Sequence, residues 1–132
     1  MNLDKLDMMI LKELLSDSRL SYRKLAEKLN VAVGTVQARI KKMEKEGIIK
    51  GYTVVLDHER LGYQLTSITE VIVSKGKLID TEKEIARMRN VLAVYDVTGD
   101  ADIIVVAKFK SREELSKFTK TLLSLPYVER TK

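Results

Sequence analysis

The residues with the most chemistry to offer lie in one short run, Val33-Gly34-Thr35-Val36-Gln37-Ala38-Arg39-Ile40-Lys41-Lys42. At helical spacing Val36, Ile40 and Met43 form one apolar stripe, and Val33, Gly34, Thr35, Gln37, Ala38, Arg39, Lys41 and Lys42 lie off it or at its edge. Small and polar residues at the start of such a helix let it enter a major groove, where Thr35 and Gln37 can reach base edges. Arg39, Lys41 and Lys42 then lie near phosphates. Residues 31–50 carry Arg39, Lys41, Lys42, Lys45 and Lys50 against Glu44 and Glu46, a local excess of three positive charges. The bland alternative is a solvated basic face, and the preceding helix and turn decide against it. Tyr22 and Arg23, with Lys24, open that preceding helix, whose N-terminus faces the phosphate backbone in motifs of this kind. For Tyr22 the alternatives are a phosphate contact and a core residue with its hydroxyl at the edge, and the second is the preferred reading.

A second constellation is Thr98-Gly99-Asp100-Ala101-Asp102, between two apolar runs. Asp and Gly dominate turns, so one reading is a plain hairpin connection with Gly99 at positive φ. The other reading is a clamp in which Asp100, Asp102 and exposed amides hold a zwitterion such as an amino acid.

The elements that must position these residues follow from periodicity. Leu3, Leu6, Ile10, Leu11, Leu14 and Leu15 recur every three or four positions and predict an amphipathic helix over 4–16, with Asp4 as cap and Asp7 in the first turn. Ser21 caps a second helix carrying Tyr22, Leu25, Ala26 and Leu29, which stops at Asn30. The third helix starts after Asn30-Val31-Ala32 and ends before Gly47, so the second and third have the lengths and turn of a helix-turn-helix. Residues 48–57, IIKGYTVVLD, are β-branched and aromatic and predict a strand that Gly51 lets bend.

Past a linker near 57–63 the pattern changes to strand 65–73, helix 80–89, strands 91–97 and 102–109, and helix 111–124. A stub, Val128-Glu129-Arg130-Thr131-Lys132, follows Pro126. This βαββα(β) order predicts a ferredoxin-like sheet covered on one face by two helices. LTSITEVIV and DIIVVAKF are apolar at nearly every position, so the second face is also expected to be covered, by a partner subunit. The expected division is a three-helix domain over 1–50, a hinge strand and linker over 51–63, and a sensing and dimerisation domain over 64–132.

Composition narrows the classes. The 132 residues carry 24 Lys and Arg against 19 Asp and Glu, a formal net charge of +5 that favours a polyanionic partner. With no cysteine and one histidine, disulfides, thiol catalysis and Cys/His metal sites are excluded. Asp96, Asp100 and Asp102 have no nucleophile, histidine partner or phosphate loop beside them, so an enzyme is not expected, nor is any cofactor or metal. No apolar run approaches the roughly 18 residues of a membrane span, and the acidic N-terminus is unlike a signal peptide. The expected compartment is the cytoplasm.

Taken whole, the sequence resembles the Lrp/AsnC (leucine-responsive, feast/famine) family of transcription regulators. The resemblance is carried by the N-terminal run through Arg39-x-x-x-Met43-x-x-x-Gly47-Ile48-Ile49-x-Gly51-Tyr52 and by VYDVTGDADIIVV. It implies sensing domains that pair through their sheets into homodimers, assembly up to octamers, and amino-acid effectors bound near the Gly-Asp turn, at Thr98, Gly99, Asp100 and Asp102. Two departures stand out. Ala32 occupies the place of the usual Ser or Thr cap of the third helix, at a typical cost of ~1 kcal/mol. The family's chains also continue past Val128-Glu129-Arg130-Thr131 into a full final strand, so a shortened last strand is expected.

The sequence thus predicts an α+β protein, a winged helix-turn-helix joined to a ferredoxin-like domain. It binds double-stranded DNA as a dimer with two recognition helices one DNA turn apart, roughly 34–36 Å. The rival reading is a stand-alone metabolite-binding or allosteric subunit whose helical domain contacts protein.

Overall fold

The computed structural model of the chain describes residues 2–132, which divide into two compact units meeting between Val55 and Leu56. The expected hinge and linker, 51–63, is therefore shared between them. The first unit begins where Asp4 caps helix α1 (Lys5–Ser16) in a reciprocal capping box. Asp4 Oδ1 accepts from the Asp7 amide (2.9 Å) and Asp7 Oδ2 accepts from the Asp4 amide (3.0 Å). Helix α2 (Tyr22–Leu29) is capped by Ser21, whose Oγ accepts from the Lys24 amide at 3.1 Å. It ends at Asn30, which takes the left-handed conformation (φ 54°, ψ 49°), and the Val31 amide closes the turn on the Ala26 carbonyl at 3.1 Å. Helix α3 (Val33–Lys45) follows after two residues. Ala32 supplies no side-chain cap, and the Thr35 amide turns back to the Ala32 carbonyl at 3.1 Å. Gly47 at φ 76° ends the helix, with the Ile48 amide donating to Met43 (2.9 Å). Ile10, Leu25, Ala26, Val36, Ile40 and Met43 are the buried core that holds the three helices together.

The strand expected over 48–57 is not formed. Residues 50–57 have no ladder partner within the chain, and the side chains of Tyr52, Val54, Val55 and Leu56 stand exposed, Val55 at 99%. The β propensity read there is real, but a strand is a paired structure, and this chain offers that segment nothing to pair with.

The second unit is a four-stranded antiparallel sheet of β1 (Leu65–Val73), β2 (Val91–Asp96), β3 (Ile103–Phe109) and β4 (Val128–Thr131), in the order β2-β3-β1-β4. Helices α4 (Leu78–Ala86) and α5 (Arg112–Ser124) complete it. Helix α4 starts two residues before the expected position and ends three before it. Thr81 Oγ1 donates to the Lys77 carbonyl (2.7 Å) in the first turn, and the Arg87 and Met88 amides tighten onto Glu84 and Ile85 at the end. The last strand is short but paired, with reciprocal bonds between Glu70 and Lys132 (2.8 and 2.9 Å) lengthening its ladder to β1.

Along β3 burial alternates without a break: Ile103, Val105, Ala107 and Phe109 are buried against Val71, Val73, Ile85, Phe118 and Leu122, while Ile104 and Val106 are half-exposed. At roughly 1.5–3 kcal/mol for each large side chain removed from water, this one face supplies most of the unit's cohesion. Replacing Phe109, which lies 5.1 Å ring to ring from Phe118, with alanine is expected to destabilise the unit by about 3–5 kcal/mol, read as a lower urea midpoint at unchanged m-value.

Candidate nucleic-acid interface and effector turn

The exposed residues of α3 are Val33, Gly34, Ala38, Lys41, Lys42, Glu44 and Lys45, and of these Gly34, Ala38, Lys41, Lys42 and Lys45 fall one above another along a single stripe. Its first half has no bulk and its second half is cationic. Thr35 and Gln37 flank it, half-buried. None of Lys41, Lys42 and Lys45 forms an ion pair among the described residues. Arg23 and Lys24 are exposed in the first turn of α2, whereas Tyr22 is half-buried against the core of the unit. Tyr52 stands near Glu44, and burial first, then that carboxylate, raises its phenol above the ordinary value.

Arg39 is placed differently from the lysines. Its Nη1 donates to Asp4 Oδ2 and to Asp7 Oδ1 (3.0 Å), the two carboxylates that already cap α1. Asp7 is 2% exposed, so its charge is held inside the unit by this contact. The bond from Arg39, followed by the bond from the Asp7 amide, lowers the Asp4 pKa from 3.8 to about 2. Asp4 as cap and Asp7 in the first turn were legible in the sequence, but not the partner they share, which lies more than thirty residues away along the chain.

Of the expected effector residues, Thr98 and Gly99 are exposed and Gly99 takes φ 107°. Asp100 lines a cavity of about 510 Å³ together with Glu70, Ile72, Arg130, Thr131 and Lys132. Asp102 is occupied within the fold. Its amide donates to the Val71 carbonyl (3.0 Å) and its Oδ2 accepts from the Val73 amide (2.9 Å), which continues the β1–β3 ladder past the start of β3. Arg130 and Lys132 were not singled out from the sequence; only the pairing of β4 with β1 brings them beside Glu70 and Asp100.

Residues 3–50 match the family described as winged helix-turn-helix DNA-binding, and residues 66–132 match the Lrp/AsnC ligand binding domain. An uncharacterized HTH-type transcriptional regulator of Pyrococcus furiosus is 53% identical over 131 residues, covering 99% of this chain and 88% of that protein. Among solved structures, Bacillus subtilis LrpC superposes with a TM-score of 0.87 at 32% identity, covering 100% of this chain and 92% of that one. A transcriptional regulator of Neisseria meningitidis, solved as a complex with L-Met, superposes with a TM-score of 0.89 at 28% identity, covering 99% and 87%. A helix-turn-helix with an exposed cationic third helix, followed by a ligand-binding α+β unit, defines a DNA-binding transcription regulator that answers to a small effector. The chain belongs to the Lrp/AsnC family.

The Asp4 pairing carries a pH signature. A carboxyl whose folded pKa is depressed adds stability that is fully present above its unfolded value and is lost as pH falls through the folded one, here between about pH 4 and pH 2. Acid titration followed by far-UV circular dichroism is expected to show the wild type losing helical stability across that window. In Asp4→Asn, which keeps the cap but cannot titrate, this step is expected to shrink.

Proposed function

We propose that α3 is the recognition helix, that two copies of the chain act together on one duplex, and that an amino acid bound beside Asp100 modulates the assembly. The observation that carries the first part is the stripe of Gly34, Ala38, Lys41, Lys42 and Lys45, small where a groove floor must be approached and cationic where phosphates pass, with its lysines in no ion pair among the described residues. Thr35 and Gln37 then face base edges from its flanks, and Arg23 meets the backbone from α2. The protein acts by binding alone, in the compartment that holds the DNA, the cytoplasm. Fluorescence anisotropy against the gene's own upstream duplex and a scrambled duplex tests this at two salt concentrations. Specific, salt-sensitive binding is expected, and Lys41→Glu with Lys42→Glu is expected to abolish it. Binding that survives the double change would move the DNA contact off α3, and no binding to either duplex at low salt would instead favour a metabolite-binding subunit that leaves DNA alone.

The effector reading rests on charge arrangement. Glu70 and Asp100 offer carboxylates to an ammonium group, and Arg130 and Lys132 offer cations to a carboxylate, around one cavity large enough for a free amino acid. The Neisseria relative's complex with L-Met supports the same ligand class. Pooled amino acids added to the anisotropy assay are expected to shift the midpoint for wild type and not for Asp100→Ala, with affinity in their absence unchanged.

Pairing of subunits is supported by what a single chain leaves uncovered. On the sheet face away from α4 and α5, Ile68 is 69% exposed, with Leu92 and Tyr95 also exposed. A second copy offers the same apolar face in return. The extended segment 50–57 lacks a ladder partner and can gain one from its own counterpart. Ile68→Glu is expected to shift the species seen by sedimentation velocity from dimer or larger towards monomer. An unchanged sedimentation coefficient would remove this face from the interface.

A further inference from the structure

We propose that Arg39 is a positioning residue of the DNA-reading surface: its guanidinium, lodged between Asp4 and Asp7, fixes the roll of α3 against α1 and makes no phosphate contact. This rests on α3 being the recognition helix. Four features of the first unit support it.

The bridge is closed. Asp4 Oδ1 and Asp7 Oδ2 accept from backbone amides and Asp4 Oδ2 and Asp7 Oδ1 accept from Arg39 Nη1, so every carboxylate oxygen of the pair has a partner. A phosphate that drew Arg39 away would leave the buried Asp7 without its counter-charge. Direction points the same way. At about 100° per residue, Arg39 lies about 120° around α3 from the axis of the Gly34–Ala38–Lys41–Lys42–Lys45 stripe, on the side that meets α1.

Charge adds to this. Arg39 faces two carboxylates, so its attraction for a polyanion is cancelled locally, whereas Lys41, Lys42 and Lys45 have no such partner among the described residues. Finally, α3 needs an anchor of this kind. Ala32 gives its start no side-chain cap, and among the described residues the Arg39 bridge is the side-chain polar tie of α3 to a neighbouring helix. Reading base edges depends on where Thr35 and Gln37 point, and a change in the roll of the helix moves both.

The test separates a tie from a contact by using two observables. Wild-type full-length protein first selects its preferred duplex from a random pool. Affinity for that duplex and for the unselected pool is then measured across a salt series for wild type, Arg39→Gln, Arg39→Lys and Asp4→Asn, each checked for helical content at the assay temperature. A lost phosphate contact flattens the slope of log K against log salt by about 0.9 per subunit. We expect all three variants to keep the wild-type slope on the pool. Arg39→Gln should lose roughly tenfold in preference for the selected duplex, within the range of a misplaced base contact, and Arg39→Lys should recover part of it.

Asp4→Asn decides the matter if Arg39→Gln fails to fold. Asparagine caps α1 as well as aspartate does, and it removes a negative charge, so simple electrostatics would tighten DNA binding. Positioning requires it to lose preference instead. A slope flattened in Arg39→Gln and restored in Arg39→Lys, or a wild-type preference in Asp4→Asn, overturns the proposal. Absence of any selected duplex overturns the recognition-helix reading itself, and this proposal with it.

Discussion

The second unit has one sheet and covers only one of its faces, and much else in the molecule follows from that. The odd-numbered residues of β3 and the helices α4 and α5 close the inner face, while Ile68, Leu92 and Tyr95 remain open on the other. A unit of this size buries a modest fraction of its surface when it folds, so apolar area left outside is area available for association. The strand sequences are apolar on both faces, and under the pairing proposed above they would serve two interiors, one within the chain and one shared between chains. DNA reading then gains from the same economy of size. A lone three-helix unit touches few phosphates; in the proposed pair, tying two of them together would raise the effective concentration of the second and make assembly and affinity one variable for an effector to move.

The first unit solves a different problem with the same means. Its three helices share six buried apolar side chains, a small core to which half-buried leucines and Tyr22 add at the edge. Polar ties supply the remaining definition: the Ser21 cap, the left-handed Asn30 that sets the interval between α2 and α3, and the bridge from Arg39 to the α1 cap. Such ties have direction, which apolar contacts lack, and direction is what a surface that must register against a duplex requires.

Local sequence carried most of the fold. Ser21, Asn30 and Gly47 each act within a few residues of themselves, and so the helix ends could be read at sight. The same holds for β1, whose bounds follow from composition and flanking turns. What escaped depends on distant partners. The segment 48–57 has the residues of a strand, but whether it becomes one is decided by a neighbour that the chain does not contain. Arg39 looks like its neighbours Lys41 and Lys42 in any count of charge, and only the packing of α1 on α3 separates them. Arg130 and Lys132 sit in a polar stub with no periodicity of their own, and become part of a cavity through the register of β4 on β1.

Asp102 and Asp100 are two residues apart and do opposite work. By accepting the Val73 amide, Asp102 makes its own turn a continuation of the sheet, so the backbone around Asp100 is stiffened before any ligand arrives. The ordering entropy of that loop is settled during folding, and under the effector reading proposed above a small molecule at Asp100 would have less disorder to remove. Stiffness also gives the turn leverage. The Asp102–Val73 bond joins this turn to β1, one of the two inner strands, so on the proposed effector reading a displacement of Asp100 would have a covalent and hydrogen-bonded route from the rim of the sheet to its middle.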